Sequence, residues 1–143
     1  MKNLVAVVIF AILALIVFAL PSCKGKKYVT GKYVQVTEIP DGKALVYIYR
    51  PSRFLGGGNH YTINDGNDKV SRIHLYNGGY FEYFTDPGKH NFWLELSGKR
   101  EDIIVNCEEG ETYFVKVNVV EFFLVPNEIG QMEIRKCNKL LIE

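Results

Sequence analysis

The side chains that could do chemistry in this chain fall into a few small groups. Arg50 and Arg53 bracket Pro51-Ser52 and lead into Leu55-Gly56-Gly57-Gly58-Asn59. Two guanidiniums beside backbone amides that a ligand can approach closely would form an anion clamp. The Gly-Lys-Ser/Thr of a phosphate loop is absent, so a strand end with exposed arginines is the plainer reading. His60, His74 and His90 are the only imidazoles. None shows HxH spacing on one strand face and no HExxH is present, so neither a metal site nor a cofactor is expected. No Ser lies in GxSxG and no Ser-His-Asp order suggests itself, so no catalytic residues and no enzyme are expected.

Aromatic side chains are the next group, with Tyr 9, Phe 9 and Trp 1. "YFEYF" and "NFWLEL" carry aromatics on both faces of a strand. One face must be core, and the other is either covered or a binding surface, for which Trp93 and Tyr83 are the candidates. Cys107 and Cys137 are candidates for a disulfide, which an envelope compartment permits. A bond closing that loop would stabilise by roughly 3–4 kcal/mol in the chain-entropy model. Two separate buried thiols are the alternative.

Cys23 stands apart, at the seam "ALPSCKGKK" where an apolar run gives way to basic polar sequence. Met1-Lys2-Asn3 is a short positive start, Leu4 to Leu20 carries no charge, and Pro21-Ser22 precedes the cysteine. This is the signal-peptide pattern. Leu20-Pro21-Ser22-Cys23 resembles the bacterial lipobox, which implies lipidation of Cys23, cleavage before it and acylation, palmitate included. Two or three acyl chains hold a soluble domain firmly at a bilayer. The competing reading is an uncleaved helix at the lower limit of a span, roughly 17–25 residues. Lys24 argues against inner-membrane retention by its resemblance to the enterobacterial sorting rule, which favours the outer membrane. Lys24, Lys26, Lys27 and Lys32 then suit a solvated tether with some headgroup contact.

The elements that must position these groups have a two-residue period. "KALVYIYR" is apolar on both faces and reads as a central strand. "HYTIN" ends at Asp65-Gly66, a hairpin signal, and "KVSRIHLY" returns. "NFWLEL" points Phe92, Leu94 and Leu96 inward and Trp93 and Glu95 the other way. "DIIVNC" and "TYFVKVNVV" are expected to pair across "EEGE". Short strands bounded by Gly, Pro, Asn and Asp, with no helical run between them, indicate an all-β fold, an antiparallel β-sandwich of the immunoglobulin or prealbumin kind. "PNEIGQMEIRKCNKLL" changes period. It is expected to form a short closing helix capped by Asn127, with Ile129, Met132, the Lys136 stem and Leu140 toward the sandwich and Gly130 weakening it. The expected organisation is a lipoprotein signal peptide and signal helix over 1–22, a flexible tether over 23–39, a β-sandwich over 40–125 and a C-terminal helix and tail over 126–143.

Three blocks, "GKALVYIYRPSRF", "NGGYFEYFTDPGKHNFWLE" and "EEGETYFVKV", resemble a family of bacterial envelope proteins, often lipoproteins, defined only as a domain of unknown function. The resemblance implies a small envelope-attached β-sandwich, with no catalytic residue to carry over. Formal net charge is +1, so no basic field recommends nucleic acid. The expectation is a lipid-anchored envelope protein with its domain in the periplasm and a non-catalytic, structural or protein-interaction role. Its partners would be the membrane and an envelope protein. The alternative is a ligand-binding module for a glycan or an anion, using Trp93, Arg50 and Arg53.

Overall fold

In a computed structural model of the chain, the described residues are 29–70 and 74–140. Chain order is β1 (Val29–Lys32), β2 (Ala44–Tyr49), β3 (Asn64–Asp65), β4 (Asp68–Lys69), β5 (Gly79–Thr85) and β6 (Gly88–Leu96). Then come β7 (Lys99–Cys107), β8 (Thr112–Val117), β9 (Phe122–Val125), the helix α1 (Asn127–Ile134) and β10 (Asn138–Leu140). A six-stranded sheet runs β1-β10-β5-β2-β8-β9, and a four-stranded sheet runs β4-β3-β6-β7. The fold is mostly β with one short helix among the described residues.

The two sheets share one apolar core. Ala44, Val46 and Ile48 of β2, Phe81 of β5 and Val115 and Val117 of β8 meet Phe92, Leu94 and Leu96 of β6 and Val105 of β7. The alternation expected for "NFWLEL" is the one observed, because only one face of β6 is buried in this core. A second apolar layer lies on the far side of the larger sheet. There Leu45, Tyr47 and Tyr49 of β2, Tyr80 and Phe114 pack with Val125, Ile134 and Cys137. Every residue of β2 is buried, so its two apolar faces do mark a central strand.

Four expectations are corrected. "DIIVNC" pairs with β6, not with "TYFVKV". The chain leaves β7 through a turn whose Gly110 N–H donates to the Lys43 carbonyl (2.8 Å) while the Leu45 N–H donates to the Glu111 carbonyl (3.0 Å). Those bonds feed β8 into the other sheet alongside β2. The pairing of β2 with β8 is therefore parallel, as is that of β5 with β10, so the sheets are not purely antiparallel.

The helix begins after Pro126, with Asn127 as its first residue and no side-chain cap. It buries Gly130 and Ile134, whereas Ile129 and Met132 are exposed. Gly130 is what lets it sit down: a Cβ there would lie 2.2 Å from Cγ of Phe114.

Finally, the stretch from Val29 belongs to the body and is not a free tether. β1 pairs with β10, and Tyr33, Val36 and Ile39 pack on the second layer. Tyrosine hydroxyls tie this segment down: the Val36 N–H donates to Tyr47 Oη (2.9 Å) and the Val34 N–H to Tyr80 Oη (3.3 Å). The leader, Cys23 and the expected signal helix lie outside the described residues. No helix among the described residues is long and apolar enough to cross a membrane.

Candidate functional site

The outer face of the smaller sheet carries a groove. β6 turns Trp93 and Glu95 onto this face, and Asn64 of β3 is paired directly opposite Trp93. The period-2 geometry that puts Tyr61 and Ile63 in the core turns His60, Thr62 and Asn64 outward beside them. Trp93 is fixed in place. Its indole N–H donates to the Gly66 carbonyl at 2.7 Å, and the Arg100 guanidinium lies 4.2 Å from the ring centroid. Arg100 is in turn held by the Asp102 carboxylate, at 2.7 Å from Nη2, and that pairing lowers the Asp102 pKa. Clamped on one side, the indole contributes to the wall of a cavity of about 400 Å³ that His60, Thr62, Asn64, Lys69 and Glu95 also line.

A second cavity of about 360 Å³ adjoins it, bounded by Gly58, Asn59 and Ser97, and shares His60, Tyr61 and Glu95 with the first. The floor is therefore an elongated open trough. The His60 and His74 rings meet at a tilt of 53° with centroids 4.3 Å apart, and Thr62 Oγ1 lies 2.8 Å from Nδ1 of His74. Burial, His60 and Lys69 together lower the His74 pKa below its ordinary value.

Arg50 and Arg53 do not form a clamp. Arg50 is 2% exposed. Its Nη2 donates to the Gly56 carbonyl at 2.7 Å and its Nη1 to the Asn59 carbonyl, while the guanidinium sits 4.8 Å from the Tyr61 ring centroid. Both donor edges are spent on the Gly-rich loop, so Arg50 acts on the groove by holding one of its rims. Arg53 is exposed, and its backbone N–H and carbonyl are both bonded to the Asn77 side chain at 2.9 Å.

Tyr83 is half-buried against the core between the sheets. It packs edge-on against Phe92 at 5.8 Å and donates to Asp65 Oδ2 at 3.3 Å. Burial, then Asp65, raises its pKa. Asp65 also meets Nδ1 of His90, whose Nε2 faces the Asp86 carbonyl at 2.8 Å. Thr85 Oγ1 comes within 3.2 Å of the same ring. The set resembles a hydroxyl–imidazole–carboxylate relay in composition only. Both ring nitrogens already face oxygens of Asp65 and Asp86, so the ring is not poised toward Thr85 alone. It works as a polar staple between the sheets.

Cys107 and Cys137 are free and buried, not bonded. Cys107 lies in the core between the sheets and Cys137 under the helix, so the larger sheet separates them. Burial pushes the thiols up to about 11 and about 12 respectively, with Asp65 and Glu133 adding to it. Thiols held protonated in this way are not nucleophiles. No cluster among the described residues is composed to hold a metal ion.

Of the four expected ligand residues, only Trp93 reaches the groove. Thr62, Asn64, Lys69 and Glu95 were not singled out from sequence. Their signal lay in the outward alternation of "HYTIN" and "NFWLEL", but the pairing of those two strands was not legible. Compared with models of known families, with curated proteins and with solved structures, the chain matches none.

Proposed function

We propose that this chain is a lipid-anchored cell-envelope protein whose β-sandwich body, of the immunoglobulin or prealbumin kind, recognises a ligand without transforming it. The observation that carries the reading is the Trp93 groove: a fixed aromatic wall beside polar groups, on a sheet face that no other element among the described residues covers. The Leu20-Pro21-Ser22-Cys23 lipobox supports the anchor, Lys24 the outer membrane, and the family resemblance the periplasmic setting. Val29, where β1 begins, is six positions after Cys23. Extended chain of that length reaches at most about 20 Å, so the body would ride close to the bilayer.

Mass spectrometry of the mature chain tests the anchor. A diacylated or triacylated N-terminal Cys23 is expected, and an intact Met1 defeats it. Recognition is tested through Trp93, the chain's single tryptophan. Adding solubilised envelope material to the full chain in detergent should shift its emission saturably, and the shift should vanish in Trp93→Phe. Emission that no envelope fraction changes refutes the reading.

A further inference from the structure

Resting on the recognition reading, we infer that the Trp93 groove binds a segment of a saccharide chain. The lining groups decide among ligand classes. Lys69 and Glu95 both line the groove, and neither side chain makes a hydrogen bond or ion pair with another described residue. One free cation and one free carboxylate disfavour a ligand with strong net charge of either sign: Glu95 repels phosphates and nucleic acid, and Lys69 repels polyamines. An apolar ligand would leave both charged groups desolvated and unpaired.

A peptide adding as a strand needs a free sheet edge. At Trp93 β6 offers none, because its backbone there is bonded to β3 on one side and to β7 on the other. What remains is a neutral or zwitterionic ligand, apolar on a flat face and hydroxylated around its rim. That describes a pyranose, whose C–H face packs on an indole while its hydroxyls meet carboxylate, ammonium, amide and imidazole. Two adjoining cavities that share His60, Tyr61 and Glu95 make room for more than one ring, so the ligand is a chain and not a free monosaccharide.

The test is Trp93 fluorescence of the full chain in detergent. It is titrated separately with β-1,4-linked N-acetylglucosamine and glucose tetramers, α-1,4-linked glucose tetramer, the matching monosaccharides, inorganic phosphate and tetra-alanine. At least one tetramer is expected to saturate the signal, with its monosaccharide about tenfold weaker or worse. Glu95→Gln and Lys69→Met should each weaken the tetramer about tenfold, the worth of a hydrogen bond to a charged group. Both side chains are exposed, so the variants keep the fold, which circular dichroism checks. Phosphate or tetra-alanine binding in place of every tetramer overturns the saccharide assignment while leaving recognition standing. Silence toward all probes also overturns it, and the response to envelope material then tells whether the recognition reading has fallen too.

Discussion

Replacing Gly130 by alanine sets two effects of opposite sign against each other. Helix propensity alone makes Gly130→Ala stabilising by about 1 kcal/mol. The structure reverses that sign. An alanine Cβ would fall 2.2 Å from Cγ, 2.4 Å from Cβ and 2.7 Å from Cδ1 of Phe114. Phe114 is 1% exposed and stacked on Tyr47 with centroids 5.1 Å apart, so it cannot swing away. The helix must lift by about an ångström to restore ordinary contact. A radial gap of that size forfeits up to about half of each contact it opens, and the groups losing contact are Ile134 and Cys137. Overpacking of this kind costs about 1–3 kcal/mol. With the lost contacts of Ile134 included, the total exceeds the propensity gain by about 2 kcal/mol. For a body of this size that corresponds to a fall in Tm of roughly 6–12 °C. Urea and thermal denaturation of the purified chain measure it, and Gly130→Ala combined with Phe114→Leu should recover part of the loss. A Gly130→Ala variant as stable as the parent or more so would refute the close packing of helix on sheet.

Three other outcomes are expected. Arg50→Lys should destabilise by about 2–3 kcal/mol, because one ammonium cannot replace a fork that serves both the Gly56 and Asn59 carbonyls; amide hydrogen exchange at residues 56–60 should accelerate with it. Burial works to raise the Glu133 pKa, but hydrogen bonds from Lys116 and Tyr49 prevail and hold it below its ordinary value. Its contribution is therefore present above pH 4.5 and is lost as pH falls through the lower folded-state value, so Glu133→Gln should flatten the acid limb of a stability–pH curve and leave its neutral slope unchanged. Cys107 and Cys137 should resist a thiol reagent at pH 8 in the native chain and react fully in urea, as counted by mass spectrometry; rapid native labelling of either would contradict their burial.

Local patterns in this chain were legible where one physical cause decided them. β2 reads as central because no solvent-facing strand can carry six apolar residues in a row, and β6 reads as half-buried because its alternation has a single period. What the sequence left open were choices among partners. "DIIVNC" suits either sheet by composition, and the Gly110–Lys43 bond decides which. Ile129 and Met132 look like a buried stripe until the helix face is set by the smallest residue, Gly130, since the closest approach to Phe114 outweighs the loss of two apolar side chains to solvent. Arg50 reads as a strand-end arginine, exposed or clamping an anion, because sequence cannot show that the carbonyls within its reach belong to its own chain and bury it. The groove was missed for the same reason: Thr62, Asn64 and Glu95 are unremarkable on their own strands, and they converge only through the β3–β6 pairing.

The placement of the aromatics explains why the groove lies where it does. The larger sheet is covered on one face by the smaller sheet and on the other by α1 and residues 33–39. Tyrosines dominate that second face because they meet backbone and charge there: Tyr47 and Tyr80 accept amide hydrogens from the N-terminal segment, and Tyr49 donates to Glu133 at 2.6 Å. Phenylalanine would leave those partners unpaired at a cost of about 1–3 kcal/mol each. Trp93 satisfies its own N–H within its sheet, at Gly66, and so needs no covering element. It therefore stands on the outer face of the four-stranded sheet, whereas β1, which leads back to Cys23, is an edge strand of the other sheet. The anchor proposed at Cys23, attached through that edge, would leave the groove open, and a groove built instead on the tyrosine face would have to compete with residues 33–39 that pack there.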